Sequence, residues 1–577
     1  MKRPHGLGIA LLSLSLMFAI SVGEFYAIHY LRLPDMPLNA AELMSCVFFI
    51  SVLTRQILVR PVQAGEEWTM TGEKPRSWPG LVLALGTGTL AYSTTVPLFF
   101  ITDDYDHLQL VRQPFMTSIW PQITQGQAGD NFHIFYRPLG FLSLFLDYRI
   151  WHSWIPGYHL TNLALYLLCV AAVFFLCREL RLQNDVCTMA ALVFALLPVN
   201  VQAVTWVACR FDQLATAFMV WALVCSVRFR RTGSWLAYAG SMVLFLMAAL
   251  TKESAYSLPF LWIALEFLPI DRKQLEPRLS LKRLGPVFGY LGVAALAFLH
   301  RWRVLGGIAG YYDPNGAPVV QTFGAQNLLG LLVRAPSEML LGYNTFQPGR
   351  IPLILLVVIA ATIFLTSSLL EKKTSYSWRL IWVSLVWIFT STIPVHFNFR
   401  LVDPGLFNSR GLYFGSVGLA LLIALLLHGA SQQPRSRRVW AGALSLVLVA
   451  GVEHNIGAWK AVSHTTYSFL SQLRTLEPSP PPNTAFYIDD RPTFVRGVPF
   501  FTVGLQSAVR FDYGWRTDIT AEPLTQSSPV WRPDAICVMW WDGRHPYATE
   551  PGELLEPKAF RINAAPSWGS SHSPALP

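Results

Sequence analysis

Charge is what this sequence has least of. Only 14% of its 577 residues are Asp, Glu, Lys or Arg, against about a quarter in a soluble globular chain. So few charges cannot solvate the surface of a water-soluble fold of this length, which points to lipid as the solvent. Cysteine is scarce as well. Six of the seven (Cys46, Cys169, Cys177, Cys187, Cys209 and Cys225) lie in or beside apolar segments, and Cys537 falls in a polar tail. With no CxxC and no Cys/His pairing at zinc spacing, neither a disulfide framework nor a metal site is indicated. Internal repeats are lacking. So is any basic–aromatic patch, which argues against nucleic-acid binding despite the net charge of +10.

Apolar runs are abundant: 53% of the chain is hydrophobic, and crossing a bilayer takes roughly 20 such residues per helix. Runs fall near 7–31, 38–59, 80–101, 157–177, 187–207, 212–229, 234–250, 256–270, 285–300, 351–370, 377–395, 412–428 and 439–452. They predict an all-α polytopic membrane protein of about 13 transmembrane helices. Lys2 and Arg3 before an apolar stretch resemble a signal peptide. The apolar character resumes beyond Glu24, however, which favours an uncleaved first helix.

The basic residues between runs read as topology. Lys74 with Arg76, Arg178 with Arg181, Arg228 to Arg231, Arg272 to Arg283, Lys372 with Lys373 and Arg435 to Arg438 all fall on one side if the N-terminus is cytoplasmic. This requires 327–347, which carries Arg334, Pro336 and Glu338, to be re-entrant or interfacial rather than crossing. The external side then receives 102–156, 301–326, 396–410 and everything beyond about residue 453. A Pro/Ser run at 478–482 leads to strand-like segments at 485–488 and 535–541, which predict a small extramembrane α/β domain. The last residues, 564–577, have the composition of a disordered end. The expected organisation is two N-terminal spans in 1–79, a transmembrane core in 80–459, and an external domain in 460–577.

Polar residues gather on that external side. Asp103, Asp104 and Asp106, beside His107, directly follow a span. Paired carboxylates at a helix end can raise one another's pKa and supply a general base, and a solvated helix cap is the bland alternative. Tyr136 and Arg137 precede a second group in which His159 and Asn162 stand one helical turn apart. Charges also occur at the ends of spans: Arg210 with Asp212, Lys252 with Glu253, and Arg301 with Arg303. The first two sets could neutralise themselves as neighbours, whereas Arg301 and Arg303 have no acid beside them in sequence. Unpaired arginines suit a phosphate. A last cluster holds Arg400, Asp403 and Arg410. Carboxylates to activate a hydroxyl and arginines to stabilise a phosphate leaving group together suit a lipid-phosphate-linked donor.

At these residues the chain resembles the GT-C class of polyprenyl-phosphate-sugar glycosyltransferases. The order of its motifs is most similar to the TMTC-type transmembrane O-mannosyltransferases and their bacterial relatives, without their tetratricopeptide repeats. The resemblance is carried by Asp103-Asp104, Tyr136-Arg137-Pro138-Leu139, Gly157-Tyr158-His159-Leu160 and Phe194-Ala195-Leu196-Leu197-Pro198-Val199. It continues through Ala203-Val204-Thr205-Trp206-Val207, Arg210-Phe211-Asp212-Gln213-Leu214, Leu250-Thr251-Lys252-Glu253, Arg303-Val304-Leu305-Gly306-Gly307 and Ser409-Arg410-Gly411-Leu412-Tyr413.

The resemblance implies a catalytic base at Asp103 or Asp104 and a donor phosphate held by Arg301, Arg303 or Arg410. Asp106, Tyr136, Arg137, His159, Arg210, Asp212, Lys252 and Glu253 are then candidates for the substrate pocket. The expected reaction is inverting transfer of one sugar from a polyprenyl phosphate to a hydroxyl of a protein or glycan acceptor. It would take place on the external (periplasmic) face of the plasma or inner membrane, among membrane lipids. The sugar-bearing lipid is a substrate, and no metal is indicated. A lipid or solute transporter is the main alternative, but neither inverted repeats nor broken helices are evident in the sequence. A polytopic scaffold would leave the carboxylates without purpose.

Overall fold

The computed structural model describes residues 78–125, 127–128, 134–268, 281–305, 338–339, 342–346, 378–396, 405–430, 434–489, 492–523, 536–539 and 558–560. The expected spans at 7–31, 38–59 and 351–370, and most of the 327–347 segment, lie outside these residues.

The described chain is predominantly helical. It opens with α1 (Trp78–Tyr92) and, after a 3-10 turn, α2 (Asp104–Val111) and α3 (Phe115–Thr124). A minimal antiparallel pair, β1 (Gln127–Ala128) with β2 (Ile134–Phe135), leads to α4 (Pro138–Trp151) and α5 (Ile155–Glu179). Pro138 and Pro156 sit in the first turns of α4 and α5, where a missing N–H has no intrahelical partner to lose. Next come α6 (Asn184–Leu196), α7 (Val201–Thr205), α8 (Arg210–Thr232), α9 (Trp235–Ala249) and α10 (Leu258–Glu266). α8 stops at Gly233, whose φ of 72° gives the left-handed C-cap, and Ser234 then caps α9 by accepting from the N–H of Ala237. α11 (Leu281–Leu305), α12 (Trp378–His396), α13 (Tyr413–Ala430) and α14 (Pro434–Leu476) complete the helical part.

Among the described residues, four helical segments are long and apolar enough to cross a membrane, and a fifth if a bent pair counts as one span. That pair corrects the expectation of unbroken helices. The run at 187–207 is α6 followed by a 51° bend into the short helix after it. The cause is Pro198, which cannot continue the hydrogen-bond ladder and leaves Leu197 extended at ψ 120°. The run at 256–270 is likewise only partly helical, because a 3-10 turn over Glu253–Ser257 precedes the nine-residue α10.

α8 packs against α5 and α9, α13 against α6 and α12, and α6 against α1. The joints are aromatic. The Tyr166 ring of α5 lies 4.9 Å from that of Tyr92, and its hydroxyl donates to the carbonyl of Ala195 at 2.7 Å.

The 43 residues of α14 correspond to roughly 65 Å of helix, about twice the thickness of a hydrocarbon core. The domain boundary expected at 459–460 falls inside it. After it come β3 (Ala485–Asp489), the hairpin of β4 (Phe494–Val495) and β5 (Val498–Pro499), α15 (Leu505–Asp512), β6 (Thr520–Pro523), β7 (Ile536–Met539) and β8 (Lys558–Phe560). Four of these strands form one sheet in the order β6-β3-β7-β8, with β3 parallel to both neighbours and β7 antiparallel to β8. β3 and β7 fall at the strand-like segments expected at 485–488 and 535–541. The Tyr513 hydroxyl donates to the carbonyls of Leu473 and Glu477, tying α15 to the end of α14.

Candidate active site

The site is built where three breaks in helical structure meet. The first is the turn before α2. Thr102 takes a φ of 39°, Asp103 is the N-cap residue, and Asp104 begins the helix. Asp104 is 2% exposed. Its Oδ2 accepts from the N–H of Ile101 at 3.1 Å and its Oδ1 from the N–H of Ala208 at 2.7 Å. The second bond ties α2 to the 3-10 turn Val207–Cys209 that starts α8. Asp103 is only partly buried, and its Oδ1 finds no hydrogen-bond partner among the described residues.

Burial pushes the Asp103 carboxyl up to about 6, against the opposing pull of Arg410, its own backbone N–H and Arg137. Asp104 is also raised well above its ordinary value, by burial and then by the charge of Asp103. Charge on Asp103 thus disfavours ionisation of Asp104. Asp106 is raised by burial, partly offset by a hydrogen bond from Ser507. His107 is pushed down to about 4 by burial, so its ring is neutral at physiological pH. The ring packs edge-on against Phe141 and Phe211.

The second break is the bend after α6. It turns α7 so that Gln202 Oε1 accepts from the N–H of Arg410 at 2.9 Å and from the Ser409 hydroxyl at 3.3 Å. The third is the 3-10 turn Ser409–Leu412 before α13. Its Arg410 guanidinium lies over the rings of Trp206 at 5.1 Å and Phe407 at 5.5 Å. The Asp103-Asp104, Ala203–Asp212 and Ser409–Tyr413 motifs, far apart in sequence, therefore converge.

Beside them lies a set of buried ion pairs that corrects the expected neighbour pairings. Arg210 does not pair with Asp212. It is fully buried and bonds Asp147 Oδ2 at 2.6 Å, with further bonds to Asn162 Oδ1 and the carbonyl of Tyr158. Asp212 instead receives Lys252 Nζ on both oxygens, at 2.5 and 2.6 Å. Glu253 in turn holds Arg137 in a two-pronged pair, Nε at 3.2 Å and Nη2 at 2.6 Å. Arg301 approaches the same carboxylate at 3.8 Å and donates to the carbonyl of Tyr136 at 3.1 Å. Arg137, then Arg301 and Lys252, hold Glu253 well below the usual carboxylate range despite a burial that would raise it. Arg301, read in sequence as lacking an acid, thus has one in space.

Arg303 is exposed. The Tyr136 hydroxyl shares a 2.8 Å hydrogen bond with His300. His159 is buried one turn from Asn162, which is committed to Arg210.

Sequence reasoning missed Asp147 and Gln202. Asp147 was detectable, being a lone acid inside the apolar stretch 139–151. Gln202 carried no signal. Among the described residues no group of three or more His, Cys, Asp or Glu side chains is placed to hold a metal ion.

No family model matches the chain. It is 26% identical over 185 residues to the human protein O-mannosyl-transferase TMTC3, a match covering 30% of this chain and 20% of that protein. It is 22% identical over 199 residues to a protein O-mannosyl-transferase of Caenorhabditis elegans, covering 33% of this chain and 28% of that one. The chain thus spans less than a third of the length of either relative. Both names bear out the resemblance to TMTC-type transferases read from the motifs. Structural likenesses include ArnT of Cupriavidus metallidurans bound to undecaprenyl phosphate, with TM-score 0.40, 12% identity, and 80% of this chain and 93% of that one covered. They also include the Archaeoglobus fulgidus oligosaccharyltransferase tethered with an acceptor peptide, with TM-score 0.40, 14% identity, and 72% and 62% covered.

Proposed function

We propose that this protein is a membrane glycosyltransferase that moves one sugar from a polyprenyl phosphate to a hydroxyl acceptor with inversion, using Asp103 as the general base. The observation that carries the reading is the state of Asp103: its Oδ1 is buried without a hydrogen-bond partner among the described residues, and burial raises its pKa to about 6. A base at that value is deprotonated at neutral pH yet basic enough to accept a proton as the acceptor oxygen attacks. Asp104 is the scaffold of the pair, since both its oxygens are committed to backbone N–H groups.

Transfer breaks the bond between the sugar and the lipid phosphate. The acceptor oxygen attacks the anomeric carbon, its proton passes to Asp103, and the electron pair of the breaking bond leaves on the phosphate. Arg410 is the cation we assign to that charge. It is close enough to act on Asp103, and Trp206 and Phe407 fix its plane. A planar guanidinium suits a phosphate monoester. Arg301 serves mainly as a counter-ion to Glu253, and that pair with Arg137 braces the wall of the site.

The external face is supported by α8. It begins at Arg210 beside the site and runs 23 residues to Thr232, with Arg228, Arg230 and Arg231 near that end. That is roughly 35 Å of helix, and the basic end is the one expected in the cytoplasm. Relatives named as O-mannosyl-transferases favour a protein hydroxyl as acceptor. Incubating the purified protein with labelled polyprenyl-phosphate sugars tests the proposal. Consumption of the donor with release of lipid phosphate is expected, and an intact donor across the common sugars would overturn it.

A further inference from the structure

Two glycines of the C-terminal unit sit where no side chain fits. Gly504, with φ 81°, immediately precedes α15, and a Cβ there would lie 2.1 Å from the carbonyl oxygen of Thr102 and 2.7 Å from its carbon. Thr102 is the strained residue that turns the chain into Asp103. Gly497, with φ 77°, forms the tip between β4 and β5, and a Cβ there would lie 2.5 Å from Cα of Gly405. Gly405 opens the stretch that carries Phe407 and Arg410. Both positions combine a left-handed backbone with contact against a neighbouring main chain, which only glycine satisfies.

Each seat has a second anchor. The Ser507 hydroxyl donates to Asp106 Oδ1 one turn along α2, and Tyr105 packs on Phe501 and Phe511. At the other seat, Asn344 Nδ2 donates both to the carbonyl of Gly405 at 3.2 Å and to that of Arg496 at 2.9 Å. One short segment, 496–507, therefore rests on the turn before Asp103 and on the turn before Arg410.

We propose that this segment is a positioning element for the transfer site: its Gly504–Ser507 seat sets Asp103, its Gly497 seat sets Arg410, and the two together fix the separation of base and phosphate-binding arginine. The inference rests on the transferase reading. A displacement of about 1 Å in a catalytic group can cost on the order of a hundredfold in rate, so a rigid bridge between the two turns has a direct kinetic role.

The test uses the full-length protein and a labelled polyprenyl-phosphate sugar. Gly504→Ala pushes on the Thr102 carbonyl and should lower kcat by about tenfold to a hundredfold, with donor KM held within about twofold. Gly497→Ala should raise donor KM instead. In an Asp103→Asn background Gly504→Ala should cost nothing further, since the group it misplaces is already disabled. Should Gly504→Ala not fold, Ser507→Ala carries the same expectation on kcat without added bulk, and Ser507→Thr should restore it. Hydrogen exchange of the α2 amides should rise in Gly504→Ala and in Ser507→Ala. Unchanged kcat, or an equal loss in the Asp103→Asn background, would overturn the positioning role. α2 amides that exchange as in the wild type would overturn it even if no donor is consumed, whereas a wild type inert toward every donor counts against the transferase reading.

Discussion

Asp103 and Asp104 are adjacent in sequence and opposite in circumstance. Asp104 accepts backbone N–H groups on both oxygens, from Ile101 and from Ala208 across 104 residues of chain. Asp103 leaves Oδ1 without a partner among the described residues. Both follow Thr102, whose positive φ turns the chain into α2.

Asparagine at the two positions should therefore behave differently. Asp103→Asn keeps the shape but cannot accept a proton, so donor turnover should fall by about 10² to 10⁴ with folding intact. Asp104→Asn turns one acceptor into a donor facing a buried N–H, costing about 1–3 kcal/mol. It should lower the melting temperature and the yield in detergent. Turnover and melting curves measured on both variants separate the roles, and equal effects on both would sink the assignment.

The pH dependence follows with a definite sign. The folded pKa of Asp103 lies above its ordinary value, at about 6. The native state therefore holds the proton more tightly than the unfolded chain, and the carboxylate's stability penalty develops between pH 4 and 6 and persists above. Wild-type kcat/KM should rise through pH 6 to a plateau, while residual Asp103→Asn activity should lack that step. At pH 7.5, Asp103→Asn should melt no lower than the wild type.

The buried pair of Lys252 and Asp212 gives a stability test. Lys252→Met leaves Asp212 buried without its cation and should cost about 3–5 kcal/mol, because removing one partner strands a charge. Adding Asp212→Leu should recover most of that loss. Melting temperatures of the two variants decide it, and a double variant as weak as the single would show that packing rather than charge sets the site.

That pairing also shows where the sequence could and could not be read. Long apolar stretches such as those of α5 and α13 have no stable solvent except lipid or the interior of a bundle, so their helices were legible. Partners were not. Arg210 and Asp212 stand two residues apart on a helix, and Lys252 and Glu253 are consecutive around an extended residue, so neither set can face itself. Each charge reaches across the bundle, to Asp147, Asp212 and Arg137. The break at Pro198 was visible as a proline inside an apolar run, but not its consequence of bringing Gln202 to Arg410. The contact of Gly504 with Thr102 joins residues some 400 apart, and no local pattern encodes it.

The arginines give the last test. Three were candidates for the donor phosphate, and their surroundings now rank them. Arg301 is 3% exposed and shares Glu253 with Arg137, so its positive charge is largely spent within the protein. Arg303 is exposed and suits a snorkelling anchor at the membrane boundary. The charge of Arg410 opposes the burial that raises Asp103, and its guanidinium lies over two aromatic rings. An ammonium cannot reproduce the planar fork or the stacking, so Arg410→Lys should cost about 1.5–3 kcal/mol, roughly tenfold to a hundredfold. The loss should fall in donor KM if the contact is uniform, and in kcat if it strengthens as charge develops on the phosphate. Arg303→Lys should leave both constants unchanged. Arg301→Lys should lower the melting temperature more than the rate, because its partner is a protein carboxylate. Steady-state kinetics on the three variants with one labelled donor settle the order. A kinetic loss confined to Arg303→Lys would move the phosphate site to the end of α11, and leave Arg410 as a counter-charge that tunes Asp103.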